Sequence, residues 1–171
     1  SDWSSDVCSS DLKSQFYEPH KSDIVIGIVK MRMNEEWLVD ISSSHLASLP
    51  QLSFEGASKK NYPKFEKDSL VAAVVEDVPK PDEVLLTCMN KKYNLIGKLN
   101  DGTLLRCRNA DIQRIIEYKF LDKISGEKLI GKNGRIFIKG KDEIESLRIV
   151  NCILEALKSN NPEEMFNEML N

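Results

Sequence analysis

Asp23-Ile24-Val25-Ile26-Gly27-Ile28-Val29 is a nearly unbroken β-branched run with one glycine inside it. β-Branched side chains favour pleated backbone, and a glycine within a strand marks a bend or a close backbone approach. Working outward, Trp37-Leu38-Val39-Asp40-Ile41 forms a second strand after the polar turn Asn34-Glu35-Glu36. His45-Leu46-Ala47-Ser48-Leu49 is a short third, ended by Pro50. Residues 53–67 read as a long polar loop containing Gly56 and Pro63. Leu70-Val71-Ala72-Ala73-Val74-Val75 and Val84-Leu85-Leu86-Thr87-Cys88 follow as strands, divided by the turn Pro79-Lys80-Pro81-Asp82. Five short strands within residues 23–90 predict a closed all-β barrel of the OB-fold type, because closure removes exposed edges.

The composition changes near Met89-Asn90-Lys91-Lys92, which places a second domain at 91–171. Leu95-Ile96-Gly97-Lys98-Leu99 and Thr103-Leu104-Leu105 flank Asn100-Asp101-Gly102, and Asp-Gly predicts a hairpin there. A helix capped by Asn109 carries Ile112, Ile115 and Ile116 on one face. A strand at Lys128-Leu129-Ile130, the turn Gly131-Lys132-Asn133-Gly134 and an alternating, half-exposed strand at Arg135-Ile136-Phe137-Ile138-Lys139 come next. From Lys141 apolar residues recur at helical spacing through Leu157. Asn161-Pro162 stops that helix and opens a terminal one. The second half is thus a small α/β (α+β) domain about the size of a KH module.

The chain has 171 residues, 24 basic and 27 acidic, for a net charge of −3. Residues 1–12 hold three of the acids and no base, and Trp3-Ser4-Ser5-Asp6 is echoed by Cys8-Ser9-Ser10-Asp11. This stretch has no strand or helix period and reads as a non-native tail, with a disordered native tail as the alternative; 13–22 is a linker. The remainder is charge-balanced, so weak RNA affinity in isolation is expected. No apolar run is long enough for a membrane helix. Cys8, Cys88, Cys107 and Cys152 lack Cys-x-x-Cys spacing, which predicts reduced thiols rather than a zinc site or disulfide framework. No metal or other cofactor is expected.

Three segments point to one family. Residues 23–29 resemble the first strand of an S1-type OB barrel. Leu52-Ser53-Phe54-Glu55-Gly56-Ala57-Ser58-Lys59-Lys60-Asn61 resembles a loop of the ribosomal RNA-processing protein forty family of exosome cap subunits. Gly131-Lys132-Asn133-Gly134 is similar to that family's Gly-x-Asn-Gly signature in its KH-type domain. The resemblance covers roughly residues 20–165. It implies a non-catalytic subunit in nucleus, nucleolus and cytoplasm, which guides single-stranded RNA into a ring of RNase PH-like subunits beside other cap subunits. A partner nuclease then processes or degrades the RNA from its 3′ end. The family's additional N-terminal β-rich domain has no counterpart in this sequence. The sister S1–KH cap subunit and a ribosome-associated S1–KH factor are the alternatives.

Lys59, Lys60, Asn61, Tyr62 and Lys64 are the expected RNA contacts on the barrel: four polar or cationic side chains for phosphate and one ring for a base. The plain alternative is a solvated loop. Trp37 reads either as a stacking platform or as core, and Glu35 and Glu36 beside it would repel phosphate. Lys132 and Arg135 are a second phosphate-contact candidate, against a tight turn in which Gly131, Asn133 and Gly134 are structural. Arg106, Arg108 and Arg114 fit either a protein or an RNA surface. His20 and His45 are isolated, no acidic pair has nuclease spacing, and no Gly-rich loop cradles a nucleotide, so no catalytic role is expected.

Overall fold

The computed structural model describes residues 16–89 and 95–170. The tail at 1–12 and the composition change at 90–92 lie outside them. The chain divides into two compact units, the first comprising 16–100 with 130–133, the second 101–129 with 134–170.

In the first unit, β1 (Ile24–Met33), β2 (Glu36–Asp40), β3 (Ala47–Pro50), β4 (Leu70–Lys80) and β5 (Glu83–Thr87) run in the order β1-β2-β3-β5-β4, and β4 returns to β1. The barrel is therefore closed. Four seams are antiparallel; β3 and β5 meet in parallel at Ser48 and Leu85. Alternate residues of each strand point inward, so Val25, Val39, Leu49, Val71 and Leu86 fill one core. Burying each such side chain contributes about 1.5–3 kcal/mol. Gly27 occupies an inward position that no side chain fits: a Cβ there would lie 2.2 Å from Val39 Cγ1.

The expected hairpin at 100–102 does not form. Its first arm is β6 (Gly97–Leu99), which pairs with β4 at Leu70–Ala72 as a sixth strand of the barrel sheet. Its second arm is β7 (Thr103–Arg106), which pairs with β9 (Arg135–Lys139) in the second unit. Asp101 takes the positive φ of a turn, as the local signal requires, but the strands on either side find better partners at long range.

The second unit holds the sheet β7-β9-β8, with β8 at Glu127–Ile130, and the helices α1 (Asn109–Glu117), α2 (Glu143–Lys158) and α3 (Pro162–Leu170). Asn109 is the first helical residue rather than the cap; Arg108 sits at that position without a side-chain capping bond. Ile112 and Ile115 are buried, whereas Ile116 is half exposed. β9 is buried on both faces from Arg135 to Ile138, not half exposed. Asp142 caps α2 by accepting the Glu145 N–H at 2.8 Å. Phe120 stacks on Phe166 at 4.5 Å, which seats α3. Cys88 and Cys152 are buried free thiols.

Candidate nucleic-acid interface

The loop between β3 and β4 has a buried stem and an exposed tip. Phe54 and Phe65 are both buried, with centroids 5.8 Å apart, and Phe65 meets Trp37 edge-on at 5.3 Å. These apolar rings hold the stem against the barrel core. At the tip, Ser58 and Asn61 exchange backbone hydrogen bonds at 2.8 and 3.1 Å. The Ser58 hydroxyl also accepts from the Asn61 N–H. Lys59 and Lys60 are the two central residues of this tight turn and are exposed. A closed turn on an anchored stem lowers the entropy that two ammonium groups would lose on meeting a phosphate chain.

Below the tip, Tyr62 is half buried between cations. The Arg32 guanidinium lies 5.1 Å from its ring centroid and Lys64 Nζ 5.8 Å. Arg32 also sits 5.8 Å from the Trp37 ring and donates to the Gln51 side-chain oxygen. Lys98 Nζ donates to the Lys64 carbonyl at 3.3 Å and lies 5.9 Å from the Phe65 ring. Arg32, Lys59, Lys60, Lys64 and Lys98 form no ion pair among the described residues. The Trp37 indole N–H is buried and has no acceptor among the described residues, and its ring is core that borders the face rather than an open platform.

Arg32 and Lys98 were not singled out in the sequence, and a register change explains the first. β1 pairs Val29 with Val39 and then Met31 with Leu38, so Lys30 is an extra residue, a β-bulge. Beyond it the alternation is inverted. Met31 and Met33 turn out to solvent, and Arg32 turns onto the Trp37 side. Glu36 pairs with Met33 and so faces away from Arg32, its carboxylate accepting the Ser48 hydroxyl. Of the two acids expected to repel phosphate, only Glu35 remains near that edge. Lys98 reaches the face because β6 joins β4.

The Gly131–Gly134 segment is built for packing. β1 extends beyond the end of β2 at Ile24 and Ile26, leaving one edge of β1 open. Lys132 N–H donates to Ile24 O at 2.7 Å. Asn133, 6% exposed, accepts from Ile26 N–H at 3.1 Å and donates to Ile26 O at 2.8 Å and Ile41 O at 2.9 Å. One amide thereby stands in for the missing strand partner. Gly134 has φ +78°, and a Cβ there would meet Cys107 O at 2.8 Å. Lys132 keeps an exposed side chain, but Arg135 is only 3% exposed, a burial at odds with phosphate contact.

Residues 17–99 match the family model described as the S1 domain of exosome complex component RRP40. The chain resembles the RRP40 family. The chain is 30% identical over 146 residues to exosome complex component RRP40 of Drosophila melanogaster, covering 80% of this chain and 62% of that protein. It is 32% identical over 155 residues to the human component of the same name, covering 85% of this chain and 56% of that one. The chain thus spans little more than half the length of the curated RRP40 proteins it matches. Its fold also matches a solved protein provisionally described as an exosome complex RNA-binding protein. That match has a TM-score of 0.70 at 21% identity and covers 91% of this chain and 95% of the other.

Proposed function

We propose that this chain is a non-catalytic RNA-contacting cap component of the exosome, which holds single-stranded RNA by its phosphates on the way to a nuclease carried by another subunit. The observation that carries the reading is a set of barrel cations that form no ion pair among the described residues: Lys59 and Lys60 on a closed turn, Arg32 and Lys64 beside Tyr62, and Lys98 beside Phe65. Resemblance to a family whose named relatives are exosome components supports it. Amines and a guanidinium at scattered positions read charge and not sequence, so binding is expected to be sequence-tolerant and strongly dependent on salt. Tyr62, already flanked by Arg32 and Lys64, contributes at most one stacking contact.

RNase PH-like ring subunits and other cap subunits are the partners this reading requires, with work in the nucleus, nucleolus and cytoplasm. Several weak contacts around a ring add through effective concentration, which makes a charge-balanced chain sufficient. The test is anisotropy with a labelled oligo(U) strand over a salt series. Replacing Lys59 and Lys60 by Ala is expected to lower the slope of log affinity against log salt by about 1.4, some 0.7 for each single-strand phosphate contact. An unchanged slope, or RNA turnover by the pure chain with Mg²⁺, overturns the proposal.

A further inference from the structure

The outer face of the α2–α3 pair is unused by the barrel's RNA contacts. Ile144 is 80% exposed and Leu147 44%, neighbours on one face of α2. With Arg148, Asn151, Cys152 and Met169 they line a groove of about 490 Å³. Arg148 is already engaged, donating to the Met169 and Leu170 carbonyls at 3.2 and 2.9 Å. That leaves a mainly apolar trough in strongly acidic surroundings. α2 carries Glu143, Glu145 and Glu155, and α3 carries Glu163, Glu164 and Glu168, against Arg148 and Lys158; Glu145 is paired with Lys141, Glu155 with Lys158 and Glu163 with Lys123. Glu143, next to Ile144 and one turn from Leu147, makes no ion pair among the described residues, and neither do Glu164 and Glu168. A second groove, of about 550 Å³, runs past Glu163, Glu164 and Glu168.

We propose that this face docks a protein partner through a basic amphipathic helix. The apolar stripe of that helix fills the Ile144–Leu147–Met169 groove, and its lysines or arginines meet Glu143, Glu164 and Glu168. Charge complementarity selects the occupant: an apolar trough flanked by carboxylates attracts a segment carrying both apolar and cationic residues and repels a phosphate chain. This site lies wholly within the second unit.

The test uses two synthetic 16-residue helical peptides with one leucine stripe, the other positions Lys in the first and Glu in the second. Binding to the full chain is read by fluorescence anisotropy. The Lys peptide is expected to bind at least tenfold more tightly than the Glu peptide. Ile144→Asp and Leu147→Asp are each expected to weaken it at least tenfold. Both side chains are exposed, so the variants should melt with the parent, and the Lys59/Lys60 double variant should bind the peptide as the parent does. Equal binding of the two peptides, or retention by both Asp variants, overturns the proposal. So does a self-associated chain that Leu147→Asp dissolves in sedimentation, since a second copy would then be the occupant.

Discussion

Asn133 shows how much one side chain can hold. It satisfies the N–H and C=O of Ile26 and the C=O of Ile41, all buried. Asn133→Ala would remove all three bonds, at about 1–3 kcal/mol for each group left unsatisfied, reduced where water enters. The expected outcome is a loss of at least 2 kcal/mol in urea unfolding; a loss below 0.5 kcal/mol would show that the three bonds are not made in solution. Asn133→Asp should cost nearly as much, because a carboxylate cannot donate to two carbonyls. Cys88 gives a second prediction. Its thiol donates to Ala72 O at 3.4 Å, and burial pushes its pKa from 9.0 up to about 12. Between those values the unfolded chain has lost the proton and the folded chain has kept it. Stability from this group is therefore whole below pH 9 and declines as pH rises towards 12. Denaturant midpoints from pH 8 to 11 should fall less steeply in Cys88→Ala than in the parent.

At the scale of elements, the bulge in β1 decides which side chains the barrel presents. Strict alternation from Val25 through Val29 would carry Met31 and Met33 inward and Arg32 outward, and the extra residue at Lys30 reverses this. Lys30 is itself held by Asp68 at 3.0 Å, and that contact keeps the Asp68 carboxyl below its usual range. Deleting Lys30 should restore alternation, draw Arg32 away from Tyr62 and Trp37, and weaken oligo(U) binding at least as much as Arg32→Ala. A shortened β1 that binds RNA like the parent would separate the bulge from the interface. On α2, the Asp142 cap predicts that Asp142→Ala costs about 1 kcal/mol, read as a lower melting temperature.

Across the whole molecule, net charge is a poor guide to where charge acts. The chain carries −3 overall, yet Arg32, Lys64 and Lys98 gather about the barrel's Tyr62 and Phe65 rings, and α2 and α3 hold six glutamates against two bases. The potentials of such faces are local, screened beyond about 8–10 Å at physiological salt. RNA binding should therefore fall steeply with added salt while melting temperature changes little. Parallel losses of both would mean that binding follows folding and not the cationic face.

The strand run at 24–29, the loop at 52–61 and the Gly-x-Asn-Gly turn made the barrel, its loop and the family resemblance legible from sequence, because β-branched composition, turn chemistry and spacing are properties of neighbouring residues. The exposed turn that carries Lys59 and Lys60 was legible for the same reason. The partners of β6 and β7, the inward turn of Arg32, the approach of Lys98 and the burial of Arg135 were not. Each depends on which distant strand supplies hydrogen bonds, and a one-residue change of register exchanges the two faces of a strand without altering its composition.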